Sequence, residues 1–214
     1  MLRRIAGDTA LGRQWMLQFG LPRGPLGHLV GQGLARENLE LTRWVIAQLD
    51  PGPAHAVLEI GCGPAVAVDE VLRRSGGGGY DGVDPSTAML RQARLRNRRE
   101  IEAGRARIHR AQAAALPFAD DRFHRALCVN VIYFWDDPVV ELTEVGRVLA
   151  PGGRLAIGIR PRSAIPDELR QRFEEVGHRT YEPEDIGALL QSAGFGAVRT
   201  VTAQDGYAAI LGTV

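Results

Sequence analysis

From Ala56 onward, short apolar runs alternate with helix-length segments, and no other feature of the sequence constrains the fold as tightly. Ala56-Val-Leu-Glu-Ile60 has the length and composition of a buried strand and ends in Gly61-Cys-Gly-Pro64. Val66, Val68, Val71 and Leu72 then predict a helix that stops before the glycines at 76–79. Tyr80–Val83 reads as a second strand, after which Ser86 or Thr87 can cap a helix to about Arg99. Ile108 centres a brief third strand, and Ala126–Val131, apolar but for Asn130, is a fourth. Pro138 opens a helix to Leu149, and Arg154–Ile159 is a fifth strand after the turn Pro151-Gly-Gly153. Strands separated by helices of this length form βαβ units, so the pattern predicts a parallel sheet with helices on both faces.

The flanks differ. Asp167–Val176 and Pro183–Ala193 read as helices, the second ended by Gly194. Ala197–Ala203 and Tyr207–Leu211 read as two strands joined by Gln204-Asp-Gly206, a hairpin signal. Ahead of Ala56 lies a helical pattern broken at Leu21–Gly33 by prolines and glycines. The expected organisation is an N-terminal helical extension over 1–50 and one α/β domain over 51–214. Trp15 and Phe19, four apart, fit a lid over a site or plain core packing equally well.

All 26 basic side chains are arginine, against 25 acids, for a net charge of +1. Without lysine there is no Schiff-base or P-loop lysine, which excludes pyridoxal-phosphate enzymes and Walker-type nucleotidases. A balance so close to zero speaks against a generally basic nucleic-acid binder. The arginines fall on most of the predicted outer helices, a spread that fits a coding bias of a high-GC bacterium. Apolar stretches break well short of a membrane span, and Gly7, Asp8, Arg13 and Gln14 interrupt any signal-peptide core. Cys62 and Cys128 lie in apolar runs and read as buried free thiols of a cytoplasmic protein. No metal-ligand spacing occurs, so no metal is expected.

Glu59-Ile-Gly61-Cys-Gly63-Pro-Ala65 joins the first strand to the first helix at the carboxyl edge, where open α/β sheets bind ligands. A Gly-x-Gly turn alone suits NAD(P), FAD or S-adenosylmethionine. Val66 stands where a dinucleotide fingerprint needs its third glycine, which disfavours a pyrophosphate. Asp84, 21 residues after Gly63, ends the second strand and can accept hydrogen bonds from ribose hydroxyls, or serve as a helix cap. The pair suggests a nucleoside without a pyrophosphate.

At these residues the chain resembles the class I S-adenosylmethionine-dependent methyltransferases, in particular the methyltransferase type 11 domain. The matching stretches are Val57-Leu-Glu-Ile-Gly-Cys-Gly63, Gly82-Val-Asp84-Pro-Ser86 with Met89-Leu90, Ala115-Leu-Pro-Phe118 through Phe123, Val145 through Arg154, and Pro183 through Phe195. They cover roughly 56–212 in the family's order. The resemblance implies a Rossmann-like, seven-stranded, mostly parallel sheet with an antiparallel last strand. It also implies S-adenosyl-L-methionine as cofactor. Glu59, Gly61, Cys62 and Gly63 would border the methionine part, Asp84 with Pro85 the ribose, and Ser86 and Met89 the ribose and adenine. Gln112, Ala113 and Leu116 would line the adenine pocket, with core packing the alternative for Met89 and Leu116. Asn130 would face the sulfonium or the acceptor. Three positions depart from the family pattern: Ala65 replaces its third glycine, Gln112 its adenine-facing acid, and His124 an aspartate.

The activity implied is methyl transfer to a small organic acceptor by direct displacement. Tyr133 and Trp135, on one side of an extended Tyr133-Phe-Trp135, are candidate acceptor walls, and Tyr133, His178 and His28 candidate bases. The arginines from Arg91 to Arg110 read as a solvated helix face or as a surface for RNA or protein acceptors; no aromatic residue is interleaved with them for base stacking. A cofactor-binding but inactive regulatory subunit is a further alternative. Neither membrane nor nucleic-acid partners are expected.

Overall fold

The computed structural model describes residues 38–214 and, in addition, Gly33. His28, Trp15, Phe19 and most of the expected extension lie outside them. Helices α1 (Leu39–Leu49), α2 (Val68–Ser75), α3 (Thr87–Arg96), α4 (Arg98–Glu102), α5 (Pro138–Val148), α6 (Asp167–Glu175) and α7 (Pro183–Ser192) accompany seven strands. The strands are β1 (Val57–Ile60), β2 (Tyr80–Val83), β3 (Ala106–His109), β4 (Phe123–Val129), β5 (Leu149–Ile159), β6 (Gly196–Thr202) and β7 (Ala208–Thr213). They form one sheet of order β3-β2-β1-β4-β5-β7-β6. Every pairing is parallel except those of β7, which runs against both β5 and β6. The expected mostly parallel sheet with an antiparallel last strand is what forms.

Alternation along the strands divides the core in two. Val57, Tyr80, Leu127 and Ala156 face α1, α2 and α3. Leu58, Ile60, Cys128, Ile157 and Ile159 face α5 and α7. Both faces of the central strands are covered, which is why they read as unbroken apolar runs. The helix starts follow their sequence signals. Ser86 Oγ accepts from the Met89 amide, and Asp137 caps α5 ahead of Pro138. Glu182 and Asp185 form a capping box on α7.

Three expectations change. Strand five, expected from Arg154 after a turn at Pro151-Gly-Gly153, already begins at Leu149 and takes that segment in, with a shift of register against β4 between Phe123 and Arg125. The predicted strand Ala126–Val131 begins earlier, at Phe123, and stops at Val129, because Asn130 takes a left-handed φ of 55°. Ile132–Phe134 is consequently a 3₁₀ turn rather than extended chain. The helix expected to reach Arg99 ends at Arg96, and α4 begins at Arg98 after Asn97.

Helix α1 is seated on the sheet through Val45, Ile46 and Leu49, all fully buried. A Cβ on Gly158 of β5 would come within 2.6 Å of Val45 Cγ2. Gly158→Ala therefore overpacks this seam and should lower stability by about 1–3 kcal/mol in urea unfolding. An unchanged midpoint would contradict the seating of α1.

Candidate functional site

Strand order reverses between β1 and β4, the position at which open α/β sheets hold ligands beyond their carboxyl ends. The turns after these two strands meet there. Gly61 has φ 66°, and a Cβ on it would lie 2.5 Å from Val131 Cγ2, so this contact requires glycine. Gly63 has φ 50°, and a Cβ there would meet nothing within 4 Å. One glycine permits the turn to pack; the other leaves its outer side open to a ligand.

Asp84, at the end of β2, holds two turns at once. Its Oδ2 accepts from the Gly63 amide at 2.9 Å and its Oδ1 from the Ser86 amide at 2.8 Å. The Cys62 amide adds a bond to the Val83 carbonyl at 3.0 Å. Burial raises the Asp84 carboxyl above its ordinary range, opposed by these two amides. Among the described residues no further amide takes the remaining lone pair of either oxygen. Ser86 and Met89 are buried beside it at the start of α3.

Ala65 carries the cost of replacing glycine: its φ is 52°, a conformation unfavourable for a residue with a Cβ. The buried Asn97 amide donates to its carbonyl at 3.0 Å and holds it in place. Gln112 is exposed and pairs with Ala115 in an isolated bridge; Ala113 is half-buried. Both follow His109, whose carbonyl accepts from the Asp84 amide at 3.3 Å. The two segments assigned to ribose and adenine are thus neighbours.

Beneath the glycine turn, Glu59 is 4% exposed, and its Oε2 accepts the Tyr80 hydroxyl proton. Burial pushes its carboxyl up to about 8; the Tyr80 bond opposes this and the Asp84 charge adds to it. The Cys62 thiol, fully buried here, is likewise held well above its usual range by burial. Tyr80 carries no sequence signal for this role, because the contact needs the register of β1 on β2.

Across the switch point, Asn130 Nδ2 donates to Asn38 Oδ1 at 3.0 Å, and the Tyr133 hydroxyl lies 3.2 Å from Asn130 Oδ1. Tyr133 accepts from the Arg160 amide at 2.8 Å and reaches the Arg160 carbonyl at 3.0 Å. Burial raises its phenol, so the hydroxyl serves here as a bridge between the ends of β4 and β5. Trp135 is buried in the core beside it, and Phe134 meets His178 edge-on at 4.7 Å. Burial lowers His178, whose Nε2 has no partner among the described residues. An open cleft of about 720 Å³ lies beside these residues, lined in part by Arg162, His178, Arg179, Tyr181, Asp185 and Leu189. Arg179 ties it to the end of β4 through a bond from its amide to the Tyr133 carbonyl at 3.1 Å. Among the described residues no group of histidine, cysteine or acid could hold a metal ion, and no helix is long and apolar enough to cross a membrane.

Residues 57–153 match a family model described as a methyltransferase domain. The uncharacterized methyltransferase YdaC of Bacillus subtilis is 29% identical over 136 residues, 64% of this chain and 73% of that protein. A malonyl-[acyl-carrier protein] O-methyltransferase of Halorhodospira halophila is 31% identical over 163 residues, 73% of this chain but only 54% of that protein. A SAM-dependent methyltransferase of known structure from Aquifex aeolicus shares the fold, with a TM-score of 0.73 and 18% identity. That match covers 87% of this chain and 98% of the other.

The native state holds Glu59 protonated to about pH 8, whereas an unfolded glutamate ionises near 4.5. Between these values the native chain binds the extra proton, so this residue's contribution to stability is lost as pH rises from about 5 to 8. Glu59→Gln should therefore exceed the wild type by roughly 2–4 kcal/mol at pH 9 and by much less at pH 5 in urea unfolding. A difference independent of pH would contradict the assignment.

Proposed function

Because the chain belongs to the class I S-adenosylmethionine-dependent methyltransferases, we propose that it methylates a small organic acceptor held in the cleft beyond β4 and β5. The observation that carries this reading is the cleft itself. Its volume of about 720 Å³ falls in the range of small-molecule sites, and it adjoins the end of β4 through Tyr133 and Phe134. The guanidinium of Arg162, 3.6 Å from Asp185, and the neutral His178 give it polar groups to orient an acceptor.

The residues at the switch point suit the cofactor. The open side of Gly63 admits a ligand close to the backbone, and the free lone pairs of Asp84 can take two ribose hydroxyls. Gly61, Cys62 and Gly63 would border the methionine part, Pro85, Ser86 and Met89 the nucleoside, and Gln112 and Ala113 the adenine. When bound, S-adenosylmethionine supplies a methyl group already activated on a sulfonium. The chain's task is then to bind, orient and exclude water, with reacting atoms about 3–3.5 Å apart. Asn130 would present its amide at this edge, and Trp135 would stiffen the wall between cofactor and acceptor. His178 is the base for acceptors that must lose a proton, since burial keeps it unprotonated near neutral pH. The buried free thiols Cys62 and Cys128 suit a reducing, cytosolic compartment.

Asp84→Asn should weaken S-adenosylmethionine binding about 10- to 100-fold in calorimetry. Absence of binding by the wild type would end the reading.

A second reading has its own observation. Between 91 and 110, eight arginines, all exposed, stand against two acids; the rest of residues 38–214 carries thirteen arginines and twenty-one acids. Arg98 and Arg105 pair with Glu102 and Glu100, but Arg91, Arg96, Arg99 and Arg110 have no acidic partner among the described residues. Leu95, 70% exposed, sits among them. Such a patch suits an acceptor borne on an acidic protein; the name of the Halorhodospira halophila relative describes, for that enzyme, an acceptor borne on an acyl-carrier protein. Replacing Arg91, Arg96 and Arg99 by Glu should reduce binding of an acyl carrier protein at least tenfold at low salt and leave methylation of a free acceptor unchanged. Equal binding by the variant, or tighter binding of a tRNA pool than of the carrier by the wild type, would overturn this reading.

A further inference from the structure

The amino edge of the sheet, at the opposite end of the strands from the switch point, carries a cluster that methyl transfer leaves unused. Arg125 of β4 stands beside Arg154 of β5 in the parallel register, two like charges on neighbouring strands. Neither forms an ion pair among the described residues. The Nε of Arg125 is buried without a hydrogen-bond partner.

A β-bulge brings a histidine to this pair. The amides of His124 and Arg125 both donate to the Ala56 carbonyl, at 3.0 and 3.3 Å, and the register against β5 shifts at the same place. The bulge re-aims His124, whose ring stacks on that of His55 with centroids 5.1 Å apart and planes 5° from parallel. Arg125 Nη1 holds the bulge by donating to the His124 carbonyl at 2.8 Å.

Both imidazoles have Nδ1 taken. The Gly52 amide donates to His55 Nδ1 at 2.9 Å and the Ala56 amide to His124 Nδ1 at 3.1 Å. A neutral ring that accepts at Nδ1 carries its proton at Nε2, so each ring offers an N–H donor there. The cluster thus consists of two guanidiniums and two ring N–H donors. Burial, Arg125 and His124 hold His55 below its ordinary range; Asp50, which follows α1, is the one acid acting on it. Asp50 forms no ion pair among the described residues either.

Several donors with a surplus of positive charge are the recognition chemistry of an oxyanion. Guanidinium forks match pairs of phosphate oxygens, and a neutral Nε2–H can take a further one. His124 and Arg154 are exposed, which leaves the cluster open on one side to whatever carries the phosphate. We propose that His55, His124, Arg125 and Arg154 form a binding site for a phosphate group, distinct from the cofactor edge and independent of the function proposed above.

Calorimetry of the full chain with inorganic phosphate, and separately with glycerol 3-phosphate, at pH 7.5 and constant ionic strength tests the site. The wild type should bind one equivalent of at least one of them with a Kd of about 1 mM or lower. Failure of both to bind would overturn the proposal. Tighter binding of the ester would assign the site to a phosphorylated metabolite, and equal binding to the free ion; the same donors serve both. Arg154→Gln, at an exposed position, should weaken binding at least tenfold, and His124→Asp, which sets an acid beside Arg125, should abolish it. Wild-type affinity in Arg154→Gln would overturn the site. Replacing Arg91, Arg96 and Arg99 by Glu, or adding saturating S-adenosylmethionine, should leave the affinity unchanged. Loss of binding in either case would place the anion on α3 or at the cofactor edge and overturn the assignment.

Discussion

The carboxylate of Asp84 joins the two turns on which the site is built. One oxygen holds the amide of Gly63, after β1, and the other that of Ser86, after β2. Beside that clasp, the Cys62 amide bond to the Val83 carbonyl ties the glycine turn to the neighbouring strand. The arrangement is economical because a carboxylate has capacity for about four hydrogen bonds, and two suffice for the fold. The remaining two lie at the carboxyl edge of the sheet, where a nucleoside would present its hydroxyls. The same group thus shapes the turn and offers the site its acceptor atoms.

Polarity beneath that turn is unusual for a sheet interior. Glu59, Cys62, Tyr80 and Asp84 stand together with no cation among them, and the stable solution for the free protein is to keep Glu59 neutral. Strain sits at the same edge. Ala65 and Asn130 both have positive φ, and each is held by a side-chain amide from afar, Asn97 in one case and Asn38 in the other. Conformations of this kind persist only where surrounding contacts over-determine them, and here they end β4 and turn the chain into α2.

Much of the fold was legible in the sequence. The alternation of apolar runs and helical segments marked all seven strands, six of them to within three residues at each end, while β5 begins five residues ahead of its expected start. Ser86, Pro138 and Pro183 marked helix starts through the chemistry of their own backbones and side chains. The strand expected at Ala126–Val131 ended early because one residue, Asn130, adopts a left-handed conformation that no periodicity reports. The arginines were legible as composition and, from Arg91 to Arg110, as a solvated face or a surface for a larger acceptor. The fold adds that all eight are exposed, on α3, α4, β3 and the turns beside them.

What the sequence determined by itself was local: period, turn chemistry, helix caps, and the spacing from Gly63 to Asp84 that pointed to a nucleoside. What only the tertiary structure decided was which distant side chains meet. Tyr80 reaches Glu59 because β2 lies parallel to β1 in one register and Gly82 leaves room for the phenol. Asn38 meets Asn130 across 92 positions because α1 packs over β4 and β5. The physical reason is the same in both cases. Propensity and periodicity act over a few residues, whereas contact between distant residues is set by strand order, register and the space that neighbouring side chains leave unfilled.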